Sequence, residues 1–201
     1  MVIGAGIAGS VYAYEAARRG LRVTLLSCGD WDTANSDLAQ GGIVYEPDLN
    51  VEDLLKDVRL ATAGLCNESA VRTLSAAGCE AVKKIFLTDL HTDFSRDEKG
   101  NLLFTREGAH TKNRIIYWKD TTGHSLLSSI HKALRKEKNV TVLENAAAVD
   151  LLTLSHSSAD VMDRYAPLTC FGAYVLDNKT GEVYAVKAKK TVLATGGGGE
   201  G

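Results

Sequence analysis

The 201-residue sequence has no C-x-x-C pair. Its four cysteines, Cys28, Cys66, Cys79 and Cys170, stand far apart, which argues against a zinc module or a disulfide framework and leaves them as reduced thiols. Long apolar runs are lacking too. No stretch approaches the roughly 18 consecutive apolar residues that span a bilayer, and the opening MVIGAGIAG has neither the basic n-region nor the cleavage site of a secretory leader. A cytoplasmic protein that does not enter a membrane is expected. Nor does one sign of charge dominate: 23 Lys and Arg stand against 25 Asp and Glu, for a formal net charge of -2. The single basic cluster, Lys187 to Lys190, reads as a solvated strand end, so nucleic acid is not an expected partner. There is no internal repeat or long low-complexity tract. With 45% hydrophobic residues the chain can bury a real core as one domain.

What is present begins at the first residue. Gly4, Gly6 and Gly9 form G-x-G-x-x-G directly after an apolar stub and directly before a helical pattern. Gly4 permits a tight strand-to-helix turn, Gly6 lets backbone approach a diphosphate, and Gly9 lets the helix pack close to the sheet. The helix N-terminus then faces phosphate. The following VYAYEAARRG is expected to be helical with Gly20 as its stop, and residues 21–26 to be the second strand of a βαβ unit. An acid is missing where dinucleotide sites usually offer one to the ribose. Ser27 stands there instead, ahead of Cys28; a serine hydroxyl bonds a ribose more weakly than a carboxylate, and Asp30 could substitute only if the turn folds back.

Residues 32–43 are small, polar and glycine-rich and read as a loop, either laid against a flat group or a plain surface turn. In the first case Gly41 and Gly42 would bring backbone close and could bond ring heteroatoms through their N–H groups. Helical spacing runs over 51–65, then from a cap at Asn67 or Ser69 to Ala77, then over 80–87. His91 and Cys79 read as structural. Residues 92–94 and 102–104 read as a hairpin with a polar turn that delivers the chain to Thr105-Arg106-Glu107. Among Arg106, Lys112 and Arg114, Glu107 by itself reads as one side of a surface ion pair. Arg114 could be catalytic by type, an ion pair supporting the loop being the better reading. A helix starts at Thr122 as N-cap and runs to about Glu137; His124 and His131 lie on one face of it, a pair too sparse for a metal site. Strands follow over 139–144 and 148–152, with Ala146 to Ala148 permitting close approach of an adenine. After a polar insertion over 155–167 comes a β-meander over about 170–187, then a buried strand ending in a glycine turn over 191–197. The carboxyl end of such a strand is where open α/β sheets bind ligands.

Four stretches in this order, VIGAGIAG, NSDLAQGGI, TREGAHTKNRIIYWKDTTGHSLL and TVLATGGG, resemble the succinate dehydrogenase and fumarate reductase flavoprotein family, and within it the L-aspartate oxidases. The resemblance covers essentially the whole chain. It implies an α/β fold, a Rossmann-like FAD-binding domain with a parallel sheet and a β-meander, incomplete at its C-terminus. Residues 1–201 would be the N-terminal part of that domain, with capping and C-terminal helical domains, and the residues that bind substrate carboxylates and move protons, outside them. The resemblance further implies FAD in contact with Gly4, Ala5, Gly6, Ile7, Ala8 and Gly9, with Ser27 and Cys28, with Asn35, Ser36, Asp37 and Leu38, and with Ala148, Ala194, Thr195 and Gly196. Ala39, Gln40, Gly41 and Gly42 would lie along the isoalloxazine. Asn35 stands where family dehydrogenases carry the histidine bonded to flavin, so the FAD is expected to be non-covalent.

Glu107 matches the glutamate that the oxidases place over the flavin, where the dicarboxylate reductases carry phenylalanine. It is the expected substrate-binding residue, facing the ammonium of L-aspartate, because an apolar ring there would bury that cation unpaired. The implied reaction is oxidation of L-aspartate to iminoaspartate, with oxygen or fumarate as acceptor, on the route to quinolinate and NAD, which suggests a functional link to quinolinate synthase. The alternatives are a fumarate reductase or succinate dehydrogenase flavoprotein, and a non-catalytic FAD-binding fragment.

Overall fold

A computed structural model describes residues 1–197. The order of elements is β1 (Val2–Ile3), α1 (Ile7–Arg18), β2 (Val23–Leu26), β3 (Ile43–Val44), α2 (Val51–Ala61), α3 (Glu68–Val82), β4 (Phe104–Thr105), β5 (Ile115–Ile116), α4 (Thr122–Leu134), β6 (Val140–Leu143), β7 (Ala146–Thr153), α5 (Leu154–Ser157), β8 (Cys170–Asp177), β9 (Val183–Lys187) and β10 (Val192–Leu193). The chain divides into two compact units, one formed by Met1–Asp37 with the chain from Ile130 onward, the other by Leu38–Ser129.

In the first unit a parallel sheet runs in the order β10-β1-β2-β6, with Val2 opposite both Val192 and Leu25, and Val23 opposite Val140. Strands β1 and β2 are apolar because they are covered, Val2, Ile3, Val23, Leu25 and Leu26 all being buried, whereas β10, expected to be a buried strand, is at the sheet edge with Leu193 exposed. Helix α1 buries Gly9, Ser10, Ala13, Ala16 and Ala17, mostly small side chains that let its backbone come close to the strands, together with Tyr14. It ends as expected, with Gly20 at φ +79. The second strand starts at Val23 rather than Leu21, whose side chain is exposed.

A three-stranded antiparallel sheet, β7-β8-β9, contains the expected meander. Its β8–β9 turn is held by Asp177 Oδ1, which accepts the N–H groups of Lys179 at 2.7 Å and Thr180 at 3.1 Å, and Gly181 closes it at φ +77. Ile3, Leu26, Ala146, Ala173 and Val175 form a buried cluster, with Ala148 packed against it. Strand β7 begins at Ala146, two residues before the expected start, so the alanines are part of the strand and not a connection. The polar insertion is not featureless: it holds α5 and a 3-10 turn over Val161–Tyr165.

In the second unit Asn50 caps α2 by accepting from Glu52 N at 3.0 Å, and Asn67 caps α3 by accepting from Ala70 N at 3.1 Å. Two expected helices are one. Helix α3 continues through Gly78 to Val82 and widens into π turns over Lys83–Asp89. A glycine inside a helix costs about 1 kcal/mol, and burial of Ser75, Cys79, Val82, Ile85 and Phe86 along the run outweighs it. The expected hairpin shrinks to a single bridge between Arg96 and Leu102, around a turn in which the Asp97 carboxylate accepts from Lys99 N and Asn101 N. Phe104–Thr105 pairs with β5 and not with residues 92–94, because β5 carries the buried Ile115 and Ile116 at the centre of a β3-β5-β4 sheet. Thr122 is the first residue of α4, and its hydroxyl accepts the Trp118 N–H at 3.0 Å, bracing the preceding turn.

No helix among the described residues is long and apolar enough to cross a membrane.

Candidate functional site

The glycine-rich turn is dictated by contact distances. Gly4 sits at φ +108, and a Cβ there would lie 2.2 Å from the Ala194 carbonyl oxygen; one on Gly9 would lie 1.9 Å from the Gly4 carbonyl oxygen. Gly4, Gly9 and Ala194 are thus brought together, and Ala194 N–H donates to Ile3 O at 2.8 Å. Gly6 differs. Beyond its chain neighbours, a Cβ there would meet only the Ser36 hydroxyl, at 3.2 Å, so the turn is open on that side. Gly6 gives α1 no side-chain cap, and the first turn, with Ile7 and Ala8, carries no acid. An uncapped, acid-free helix start of this kind suits an anionic diphosphate.

One donor of that helix is already engaged: Ile7 N–H donates to Ser36 Oγ at 3.1 Å. This bond ties the turn over Asn35–Leu38 to the start of α1, a link the residue pattern does not disclose. Asn35 is exposed. Ser27 is buried, with its N–H on Leu143 O and its carbonyl receiving Ala146 N–H, while Cys28 O accepts Asn178 Nδ2 at 2.6 Å. The end of β2 is thereby fastened beside the start of β7, near Ala148. The Asp30 carboxylate accepts Asp32 N–H at 3.0 Å and caps a short turn over Trp31–Thr33. Thr195 and Gly196 follow β10, with Gly196 at φ +74.

The second unit carries Leu38, Ala39, Gln40, Gly41, Gly42 and Glu107. Leu38, Ala39 and Gln40 are exposed, and Ala39 O accepts Gly123 N–H at 2.9 Å. Gly42 is glycine for a packing reason: a Cβ there would lie 2.3 Å from Ile115 Cγ2 and 2.5 Å from Ile116 O. Its N–H is directed at Glu107 Oε1, 2.6 Å away. A Cβ on Gly41 would lie 3.1 Å from Glu107 Oε2. The carboxylate is therefore seated on the Gly41–Gly42 backbone. The surface ion pair expected from its neighbours does not form with Lys112 or Arg114: Lys112 pairs with Asp53, and Arg114 with Asp57 at 2.9 Å.

Asp57 and Arg114 are almost completely buried. Burial pushes the Asp57 carboxyl up, but the backbone and side-chain hydrogen bonds from Thr111 and the charges of Arg114 and His110 outweigh it and hold the group below its ordinary 3.8. This clamp pins the chain after Glu107 to α2. Asp57 was legible as an acid on the apolar stripe of α2, beside Leu54 and Val58, and was missed. His131, between Leu127 and Leu134 on α4, read only as one of a sparse histidine pair. It is buried and bonds Ser10 and Asp32. Burial pushes Asp32 up, and hydrogen bonds from His131 and Arg135 outweigh it and hold the carboxyl low. Among the described residues no group of three or more His, Cys, Asp or Glu could hold a metal ion.

Comparison with known proteins follows the same outline. The chain is 37% identical over 203 residues to L-aspartate oxidase 1 of Ralstonia nicotianae, covering 99% of this chain and 36% of that protein. It is 34% identical over 200 residues to the chloroplastic L-aspartate oxidase of Arabidopsis thaliana, covering 98% of this chain and 29% of that protein. The chain thus spans about a third of the length of the curated relatives it matches. Among solved structures, an E. coli quinol fumarate reductase superposes with a TM-score of 0.81 at 19% identity, over 98% of this chain and 32% of the other, a likeness of fold. The model of the FAD binding domain family matches residues 1–200, and the turn through Gly4, Gly6 and Gly9 has the close approaches and open helix start that a dinucleotide diphosphate needs. This chain belongs to that family, and its cofactor is FAD.

Proposed function

We propose that these residues are the N-terminal part of the FAD-binding domain of an L-aspartate oxidase, which converts L-aspartate to iminoaspartate with oxygen or fumarate as acceptor. One observation carries the choice of substrate: Glu107 is held by the Gly42 N–H at 2.6 Å, on the loop proposed to run along the isoalloxazine. Relatives named L-aspartate oxidase at 34–37% identity support the same reading. The protein would act in the cytoplasm, as the first step toward quinolinate and NAD, with a functional link to quinolinate synthase.

Bound FAD supplies the two-electron acceptor. The chain's own residues supply position and charge. Gly4, Ala5, Gly6, Ile7, Ala8 and Gly9 cradle the diphosphate; Ser27 and Cys28 meet the ribose; Ala148 borders the adenine; Ala194, Thr195 and Gly196 close the far side of the turn. Asn35, Ser36, Asp37, Leu38, Ala39, Gln40, Gly41 and Gly42 accompany the flavin, and Asn35, lacking a ring nitrogen to alkylate, leaves it non-covalent. Glu107 receives the substrate ammonium. With Oε1 oriented by Gly42, the carboxylate is held in place before substrate arrives, so little side-chain entropy is lost on binding.

The test is oxidation of L-aspartate by the full-length protein with oxygen or fumarate as acceptor. Reduction of fumarate by a reduced dye, with no oxidation of aspartate, would instead favour a fumarate reductase or succinate dehydrogenase flavoprotein. FAD bound without any turnover would favour a non-catalytic module. Two glycine substitutions probe the cradle. Gly9→Val forces a side chain into the Gly4 carbonyl and costs about 3 kcal/mol or more; the purified protein is expected to carry little or no FAD. Stoichiometric FAD in that variant would exclude the turn from the site. Gly41→Ala, which presses on Glu107, is expected to raise KM for aspartate severalfold.

A further inference from the structure

Beneath the glycine-rich turn lies a buried polar chain that the cofactor contacts do not include. Ser10 and His131 are both fully buried. The Ser10 hydroxyl donates to the Ala5 carbonyl oxygen at 2.9 Å; His131 Nε2 lies 3.0 Å from Ser10 Oγ and 3.2 Å from the same carbonyl. The other ring nitrogen, Nδ1, lies 3.0 Å from Asp32 Oδ1, and Arg135 donates to Asp32 Oδ2 at 2.6 Å. Trp31 stacks on the imidazole, with ring centroids 4.1 Å apart and planes 10° apart, and the Arg135 guanidinium covers the Trp31 ring at 4.7 Å. A buried histidine this well furnished is not filler. An apolar ring would stack on Trp31 equally well, and the polar ring is needed only for what its nitrogens hold.

What they hold is one peptide plane. In a trans peptide the carbonyl and the N–H point in opposite directions. The Ala5 carbonyl is drawn inward by the Ser10 hydroxyl, beside which His131 Nε2 lies at 3.0 Å, so the N–H of Gly6, its partner in the same plane, is directed away from that buried side. Through Asp32 the same ring anchors the short turn over Trp31–Thr33, which leads into the turn whose Ser36 receives Ile7 N–H. One imidazole therefore sets two strands of the proposed cradle.

We infer that His131 is a positioning residue for FAD: acting with Ser10, it fixes the Ala5–Gly6 peptide so that the Gly6 N–H is presented to the cofactor's diphosphate before binding. The inference rests on the reading that this turn takes the diphosphate. Preorganisation of this kind raises affinity by removing the cost of turning the peptide at the moment of binding.

The test is titration of the full-length apoprotein with FAD, followed by flavin fluorescence, alongside thermal melting of the apoprotein. His131→Phe keeps the ring on Trp31 and removes both nitrogens. It is expected to weaken FAD binding about tenfold, the loss of roughly one well-made buried hydrogen bond, with little change in apoprotein melting. His131→Gln, whose amide N–H can reach the place of Nε2, is expected to recover most of that loss. Ser10→Ala reads the same link from the other side and serves if the ring variants do not fold; it is expected to weaken FAD severalfold. Gly6→Val blocks the turn directly and should abolish binding. Wild-type affinity in His131→Phe or Ser10→Ala, or a Gln variant as weak as Phe, overturns the positioning role while loss of FAD in Gly6→Val leaves the turn's assignment standing. Tight FAD in Gly6→Val refutes the assignment itself.

Discussion

Glu107→Gln in the full-length protein is expected to raise KM for L-aspartate on the order of 30-fold, with a much smaller change for succinate. The substitution removes charge and little else. A glutamine oxygen can still accept the Gly42 N–H that Glu107 Oε1 accepts at 2.6 Å, so the loop keeps its tie. An ammonium about 4 Å from the carboxylate gains roughly 4 kcal/mol at an effective dielectric near 20. Glu107 is exposed in this chain, and solvent screening and desolvation take back part of that gain. About half surviving, roughly 2 kcal/mol, corresponds to the stated factor. Succinate has no ammonium to lose. Steady-state kinetics with both substrates at saturating acceptor decide the matter, and equal effects on the two would remove Glu107 from substrate recognition.

Asp57→Ala is expected to destabilise the protein by about 3–5 kcal/mol, the usual consequence of leaving a buried charge without its partner. Asp57 is 3% exposed and Arg114 fully buried. The Asp57 Oδ2 atom accepts Thr111 N at 2.9 Å, Thr111 Oγ1 at 3.0 Å and Arg114 Nη2 at 2.9 Å. Arg114 Nε and Nη1 have no hydrogen-bond partner, so Asp57 is the main compensation for this guanidinium. The exposed pair Lys112–Asp53 is a control, and its removal should cost little. The pH dependence has a definite sign. Asp57 is held below its ordinary 3.8 in the folded protein, so its contribution is complete above that value and is lost as pH falls through the folded value. Asp57→Ala should therefore flatten the acid limb of the stability curve while lowering it at neutral pH. Thermal melts across acid and neutral pH measure both effects; an unchanged melting temperature at neutral pH would mean that the pair is not what holds this loop.

Strands β1, β2 and β6 and the glycine turn were legible from apolar runs and glycine spacing. Gly4 and Gly9 are glycines since carbonyl oxygens lie where their side chains would be, and Gly20 and Gly181 mark positive φ at chain reversals. The meander was legible from alternation and from the Asp177 turn. Propensity failed where tertiary burial outweighed it: Gly78 suggested a break that α3 passes through, and residues 92–94 lost their expected pairing because Ile115 and Ile116 gave Phe104–Thr105 a better one. The site was legible in its backbone and much less so in its side-chain ties. Arg114 read as an ion pair supporting the loop, yet Asp57 lies 57 residues away and nothing local names it. Likewise the bonds from Ile7 to Ser36 and from His131 to Ser10 and Asp32 join segments that only the fold brings together.

The most direct measurement is the visible absorption of flavin in the full-length protein, without oxygen, before and after adding L-aspartate or, separately, succinate. A yellow protein that bleaches with L-aspartate and not with succinate at the same concentration is the predicted result. A flavin that bleaches with succinate and stays yellow with L-aspartate would contradict an acidic side chain chosen to meet an amine.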